Sequence, residues 1–288
     1  MGGWMMKIVG VLLILLALAV PARAQGYQLT QLATAAACPL NNFTGLDLPH
    51  LTTAKDATGQ TWIDALVLAN TMPTTQSVTL CAFGDDGVFY GGSTIAIVPN
   101  RRLMFVSNST DAATNLSTIL LAAQQTSAIP GSGAGLGGTI PANAAYHLAL
   151  TNNANVKIQG GFVGNWSQYF IFYDPATYYS GEGNKSSGII PHFGSGGGYY
   201  GYCFFSNVFT SPAGVTVSLR DDAGLVIRSV ALTVPPQGRF VLSMADYGFR
   251  QFGRVDIDTT HPGTRTLCTY LTTTSAVGNF AVSPIAPQ

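Results

Sequence analysis

The side chains best equipped for chemistry in this 288-residue chain are four cysteines, four histidines and two adjacent aspartate pairs. Cys38, Cys81, Cys203 and Cys268 contain no C-x-x-C spacing, and His50, His147, His192 and His261 are scattered, so a zinc site is not expected. An even number of thiols in an exported chain favours disulfides, and four cysteines allow three pairings. Asp85-Asp86 and Asp221-Asp222 are the paired carboxylates that glycoside hydrolysis or calcium binding would use. Each pair is followed by a glycine, Gly87 or Gly224, which is the chemistry of a hairpin turn. Asp256 and Asp258 alternate on one strand face and form a weaker calcium candidate. Gly131-Ser132-Gly133 and Gly194-Ser195-Gly196 lack the strand-to-helix context of a nucleophile elbow. These readings leave no catalytic residue, metal site or cofactor site, and the expectation is a protein that is not an enzyme.

A second group of residues could bind rather than react. Trp166, Tyr169, Tyr173, Tyr178, Tyr179, Tyr199, Tyr200 and Tyr202 crowd one region. Exposed aromatic rings stack on sugar faces or anchor protein interfaces. Packing between domains is the structural alternative. Trp166, Tyr169, Tyr178, Tyr179, Tyr199 and Tyr200 are the candidate ligand-binding set.

The elements that must position these groups read as strands. Residues 66–106 lie over 203–243 without a gap, 137 positions apart. Asn70, Val78, Thr79, Asp85, Gly87, Pro99 and Arg102 recur as Asn207, Val215, Thr216, Asp222, Gly224, Pro236 and Arg239. Turn residues meet turn residues throughout. Strands are expected at 62–69, 77–83, 88–98, 102–106, 146–151, 155–163 and 167–173. A second series falls at 200–207, 215–220, 225–234, 239–244, 254–259, 264–272 and 278–283. Leu116, Ile119, Leu120 and Ala123 share one helical face, so one short helix is expected there. The Gly-, Ser- and Tyr-rich stretch 174–199 has the composition of a linker. Residues 107–145 have no counterpart in the second copy and read as an insertion.

Composition agrees with strands. Charged residues are 9% and hydrophobic residues 47% of the chain, and the single glutamate is Glu182. Helix surfaces are normally built on Glu and Lys, so a helical protein is not expected. Removing Lys7 and Arg23 with the leader leaves 11 basic and 13 acidic residues, which excludes a nucleic-acid-sized basic surface. Residues 1–24 have a positive Lys7, an apolar run over 8–20 and the Ala22-Arg23-Ala24 cleavage pattern of a secretory signal peptide. No second apolar run of spanning length follows, so no transmembrane segment is expected in the mature chain.

An apolar strand ending in Asn, a strand–Asp-Gly–strand hairpin, a Pro-Gly turn and a late strand pair are present at 203–272, and more loosely at 66–106 with 146–163. This pattern resembles tandem bacterial extracytoplasmic immunoglobulin-like or fibronectin-like β-sandwich modules. The resemblance implies binding, adhesion or structural roles and carries no catalytic residues. The expected fold is all-β, with two tandem antiparallel β-sandwich (Ig-like) domains and one short helix inserted in the first. The expected boundaries are a signal peptide at 1–24, domain 1 at 25–173 with its insertion at 107–145, a linker at 174–199 and domain 2 at 200–288. Cys81 falls on Ser218 of the copy, on the outer strand face, where an N-terminal segment bearing Cys38 can reach it. Cys38–Cys81 and Cys203–Cys268 are therefore the expected bridges, with free thiols as the alternative. The expected function is a non-catalytic structural or adhesive protein of the cell envelope or surface, secreted or periplasmic, with itself or other envelope proteins as partners. The alternative is polysaccharide binding through the aromatic set.

Overall fold

The computed structural model describes residues 27–32, 38, 46–52, 62–107, 115–121, 144–151, 153–164, 169–173, 186–261, 264–272 and 280–282. The strands are β1 (Tyr27–Gln31), β2 (Leu46–Thr52), β3 (Ile63–Asn70), β4 (Gln76–Gly84), β5 (Phe89–Ile97), β6 (Arg102–Val106), β7 (Ala145–Leu150), β8 (Val156–Gly164) and β9 (Tyr169–Tyr173). They continue as β10 (Ser186–Gly194), β11 (Tyr199–Asn207), β12 (Ala213–Arg220), β13 (Val226–Val234), β14 (Arg239–Ser243), β15 (Phe252–Thr259), β16 (Thr264–Thr272) and β17 (Phe280–Val282). A six-residue helical turn, α1 (Leu116–Leu121), lies between β6 and β7. The fold is all-β and sandwich-like, and the strands pair antiparallel in four sheets.

Sheet β1-β5-β4-β7-β2 faces sheet β6-β3-β8-β9. Between them Val78, Leu80, Ile95 and Leu148 meet Leu66, Leu68, Phe105 and Ile158, with Leu116, Ile119 and Leu120 of α1 closing one side. Sheet β10-β15-β12-β13 faces sheet β14-β11-β16-β17 over Val215, Val217, Leu219, Phe205, Leu242 and Ile257. Strand alternation builds both cores. In β12, Ala213, Val215, Val217 and Leu219 are buried while Gly214, Thr216, Ser218 and Arg220 are half-exposed. Sheet β14-β11-β16-β17 is covered on both faces, because Phe204 and Leu267 on its far side join the first core.

The two strand orders correspond. Reading β3 to β9 as β11 to β17, and β2 as β10, converts β5-β4-β7-β2 into β13-β12-β15-β10 and β6-β3-β8-β9 into β14-β11-β16-β17. The turns match at the level of single dihedrals. Gly87 and Gly224 have φ of 83° and 81°, and Asn100 and Gln237 have φ of 53° and 52°. The left-handed conformation is what Gly and Asn accept at low cost, so turn chemistry fixes both hairpins.

Residues 186–194 lie within the stretch expected to be a linker, yet they form β10 and pair with β15. Edge-strand geometry explains the misleading composition. Pro191 sits at a register shift between Ile190 and Phe193, a position where its missing N–H removes no ladder bond. Two strands, β1 and β2, precede the first strand expected from the sequence. Cys38 bridges Cys81, and Cys203 bridges Cys268. Cys81 and Phe83 lie on the face of β4 opposite the first core, in a small cluster with Cys38, Ala149 and Val208.

Candidate functional site

Two of the histidines and one hairpin aspartate, His50, His147 and Asp85, meet buried polar groups where the two sheet pairs touch. Asp47 of β2 and His147 of β7 are both fully buried, with His147 Nδ1 2.9 Å from Asp47 Oδ1. The Ser206 hydroxyl, from β11, donates to Asp47 Oδ2. His147 Nε2 lies 2.9 Å from the carbonyl oxygen of Gln237. A carbonyl can only accept, so Nε2 carries a proton in this network. Beside it, Arg239 donates through Nε to Asp85 Oδ1 at 2.7 Å and through Nη1 to His50 Nδ1. The His50 ring stacks on Phe204 with centroids 3.9 Å apart. Burial, then the Arg239 charge, holds the His50 pKa well below the ordinary value, so the imidazole stays neutral and accepts.

Ser206, His147 and Asp47 are the residue types of a hydrolytic triad, but their order is wrong for one. The carboxylate sits between serine and histidine and accepts from the serine. The imidazole nitrogen that would activate a nucleophile holds a backbone carbonyl instead. All three are sealed from solvent. The cluster is a polar seam joining β2, β4 and β7 to β11 and β14. Backbone fit reinforces it, since Arg239 N donates to Asp85 O at 3.0 Å. A Cβ on Gly87 would stand 2.1 Å from Pro236 O, and one on Gly238 2.5 Å from Asp85 O.

Asp64 of β3 is a second buried carboxyl, in the first core. Thr52 N donates to Oδ1 at 2.7 Å and Tyr146 Oη to Oδ2 at 2.8 Å. Those bonds and the Arg239 charge favour the carboxylate, but burial outweighs them and raises its pKa to about 8. Arg265 is buried against the seam, and desolvation lowers its pKa to about 9 despite the opposing Asp47 charge.

In the sequence His50 and His147 stand as scattered histidines and Asp85 as a turn residue, and nothing there marks Asp47, Asp64, Ser206 and Arg239 as a network. A polar residue at an inward strand position, such as Asp64 two places before Leu66, was the available signal. The aspartate pairs do sit at hairpins. Asp86 Oδ1 accepts from Val88 N at 3.1 Å, and Asp221 Oδ1 from Ala223 N at 3.0 Å and Leu225 N at 2.9 Å. Asp256 is bound by Arg220 Nε at 2.5 Å and Arg254 Nε at 2.8 Å, so it is not presented to a cation. Among the described residues no group of three or more His, Cys, Asp or Glu could hold a metal ion. Ser195 is buried, and its Oγ accepts from Gly201 N at 2.9 Å, a turn role rather than a nucleophile's.

Of the aromatic set, Trp166, Tyr178 and Tyr179 lie outside the described residues, and Tyr169 opens β9. Tyr199 and Tyr200 are brought together. They line an open cleft of about 310 Å³ with Ser195, Gly198, Asp246 and Arg250. Tyr200 is 43% exposed, and Tyr199 packs edge-on to Phe252 at 6.4 Å. A flat ring beside one acid and one guanidinium can stack on and hydrogen-bond a polar ligand. Among the described residues, three consecutive exposed apolar side chains stand at the start of the edge strand β13, where Leu225, Val226 and Ile227 are 68%, 49% and 43% exposed.

No family model matches the chain, and no curated protein matches it. Solved structures resemble it only distantly. Thermotoga maritima 1070 covers 48% of this chain and 96% of its own at 11% identity, with a TM-score of 0.30. A Parabacteroides distasonis protein provisionally described as secreted covers 83% of this chain and 86% of its own at 8% identity and a TM-score of 0.19. T=1 particles derived from infectious bursal virus give 86% and 68% coverage at 9% identity and 0.17. Likenesses this weak carry no functional argument. Among the described residues no helix is long and apolar enough to cross a membrane, a statement that does not bear on β-barrels.

Proposed function

We propose that this chain is an exported, non-catalytic structural or adhesive protein of the cell envelope or surface, built from two tandem immunoglobulin-like sandwich modules and acting through contacts with other proteins. The observation that carries this reading is the exposed apolar run Leu225, Val226 and Ile227 where an edge strand begins. Exposed strand edges with apolar side chains are natural docking surfaces. The seam supports it from the other side, because Asp47, His147, Ser206 and Arg239 hold the fold and face no substrate. Two disulfides fit an oxidising compartment outside the cytoplasm. The test has two arms. Mass spectrometry of the exported protein should find Gln25 at the N-terminus. Purified protein should bind envelope proteins or cells of the source organism in a pull-down, and Ile227→Lys should weaken that binding. Absence of any binding, or activity in esterase, protease or glycosidase screens, counts against the reading.

The Tyr200 cleft favours polysaccharide binding as a second reading. A glycan array would read it, with Tyr200→Ala and Trp166→Ala as controls. Binding indifferent to both changes would remove it.

A further inference from the structure

The Tyr200 cleft is framed by two turns, one between β10 and β11 and one between β14 and β15. Both are fixed from beneath. In the first, Ser195 is buried and its Oγ accepts from Gly201 N at 2.9 Å. In the second, Phe249 is fully buried and its N donates to Met244 O at 2.8 Å. Met244 N donates in turn to Gly201 O at 2.9 Å and ties one turn to the other. Asp246 and Arg250 are exposed on this anchored backbone, so the site is largely pre-formed. Their side chains are unengaged. They line one cleft without pairing with each other, and among the described residues neither makes a hydrogen bond or ion pair elsewhere. Arg220, Arg239 and Arg254, by contrast, are each held by an aspartate. A Cβ on Gly198 would meet nothing within 4 Å, and its φ of 87° excludes most side chains, so that wall of the cleft is bare backbone. The common scaffold does not require these residues. The offset of 137 carries Tyr200, Asp246 and Arg250 onto Ile63, Ser109 and Ala113.

We propose that this cleft binds a carboxylated sugar unit of an acidic polysaccharide, with the sugar ring on Tyr200, its carboxylate on Arg250 and a hydroxyl on Asp246. The inference deepens the polysaccharide reading above and rests on it. Tyr200 is 43% exposed and offers an aromatic face to the C–H side of a pyranose ring. A planar guanidinium with no partner of its own matches a carboxylate through two parallel bonds. An ionised carboxylate only accepts, so Asp246 takes a group that donates, as a hydroxyl does. A neutral sugar satisfies Tyr200 and Asp246 but leaves the Arg250 charge unmatched. An anion without hydroxyls meets Asp246 as a like charge. A ring that carries both an acid and hydroxyls, a uronic acid, answers all three side chains. The cleft of about 310 Å³ lies at the small end of ligand sites and is open, so it takes one unit of a chain that continues past it.

The experiment is calorimetric titration of the purified full chain with oligomers of galacturonate, mannuronate and glucuronate, each beside its carboxyl-reduced form, together with an array of neutral glycans. At least one acidic oligomer should bind about 10-fold or more tightly than its reduced form, the difference one charge-assisted contact supplies. Arg250→Gln should abolish that preference and leave the reduced form bound as before. Tyr200→Ala should weaken both forms. Both side chains are exposed, so the melting temperature of each variant should match wild type. Equal binding of acidic and reduced forms, or a preference that survives Arg250→Gln, overturns the inference. Binding of neutral glycans alone, lost in Tyr200→Ala, sinks this inference and leaves the polysaccharide reading standing. A chain that binds no glycan, acidic or neutral, sinks both.

Discussion

His50 and His192 each follow a proline at the same bulge of equivalent edge strands, yet only His50 is buried. The sequences Leu48-Pro49-His50-Leu51 and Ile190-Pro191-His192-Phe193 carry register shifts at the same place, against β7 and β15 respectively. His192 is exposed and stacks on Phe252 of its own sheet, at 5.1 Å. His50 stacks on Phe204, which belongs to the other sheet pair. One side chain in the same local geometry thus serves the seam in one half and the surface in the other.

Acid should expose this difference. The folded His50 pKa is lowered while the unfolded one stays near its ordinary value of 6.5. Below that value the unfolded chain binds a proton that the folded chain refuses. The His50 contribution to stability is therefore complete above about pH 6.5 and declines as pH falls below it. Denaturant unfolding at several pH values should show a shallower acid slope for His50→Gln than for wild type. Gln keeps an acceptor for Arg239, so the variant should lose only about 1–2 kcal/mol at pH 7. Identical slopes would rule out His50 as the titrating group.

Asp64 should act in the opposite sense. Its folded pKa is raised from 3.8 to about 8, so between those limits the folded chain holds the extra proton. Stability from this group is present at low pH and is lost as pH rises toward 8. Asp64→Asn keeps an acceptor for Thr52 N and offers Tyr146 a donor. The variant should match or exceed wild-type stability at pH 8 and flatten the decline between pH 5 and 8. Equal decline in both proteins would refute the assignment.

Asn70 and Asn207 should prove equally indispensable. Asn70 Nδ2 donates to Thr74 O, Ile97 O and Val98 O at 2.9, 3.0 and 3.1 Å, and its Oδ1 accepts from Met72 N at 2.9 Å. Asn207 Nδ2 donates to Ser211 O at 2.7 Å and Pro235 O at 3.1 Å, and its Oδ1 accepts from Phe209 N at 3.1 Å. Each latches the end of one strand to the turn beyond a hairpin. Alanine at either place removes these bonds to half-buried and buried backbone groups and should cost about 2–4 kcal/mol in chemical denaturation. Aspartate should cost more, because it removes the donors and sets a carboxylate among carbonyl oxygens. A loss under about 0.5 kcal/mol, the size of an ordinary surface change, would deny them this role.

These asparagines also show what the sequence made legible. They, the Asp-Gly hairpins and the turns at Asn100 and Gln237 obey local backbone rules, so identical or similar residues 137 positions apart marked the strands between them. The β2–β10 correspondence was hidden because it lies at a different offset, 142, and because proline and glycine disguise an edge strand as a loop. The seam was invisible for another reason. Asp85 reads as a turn residue identical to Asp222, and Arg239 as a strand start identical to Arg102. Only packing decides that Asp85 meets Arg239 while Asp222 and Arg102 stay at the surface. The Tyr199–Tyr200 cleft was legible as aromatic crowding, but Asp246 and Arg250 reach it from a distant turn.

The seam joins two similar halves through unlike surfaces. Docking the hairpin of one half onto a turn of the other is a heterologous contact, which propagates when the acceptor surface recurs. Gly238 admits the incoming Asp85 carbonyl, with room for no Cβ: the built atom lies 2.5 Å from that oxygen. The equivalent of Gly238 in the first half is Arg101, an exposed side chain that obstructs the same approach. Gly238→Ala should therefore disrupt the seam within one chain. Overpacking of this kind costs about 1–3 kcal/mol, and the loss should fall on contacts between halves rather than within either core. Hydrogen exchange should accelerate at Arg239 N, which bonds Asp85 O across the seam, while amides of β12 and β4 keep their protection. Calorimetry should broaden or divide the single transition expected of wild type. Uniform acceleration across both halves would mean that the seam and the cores unfold as one unit, and that Gly238 does not set the docking.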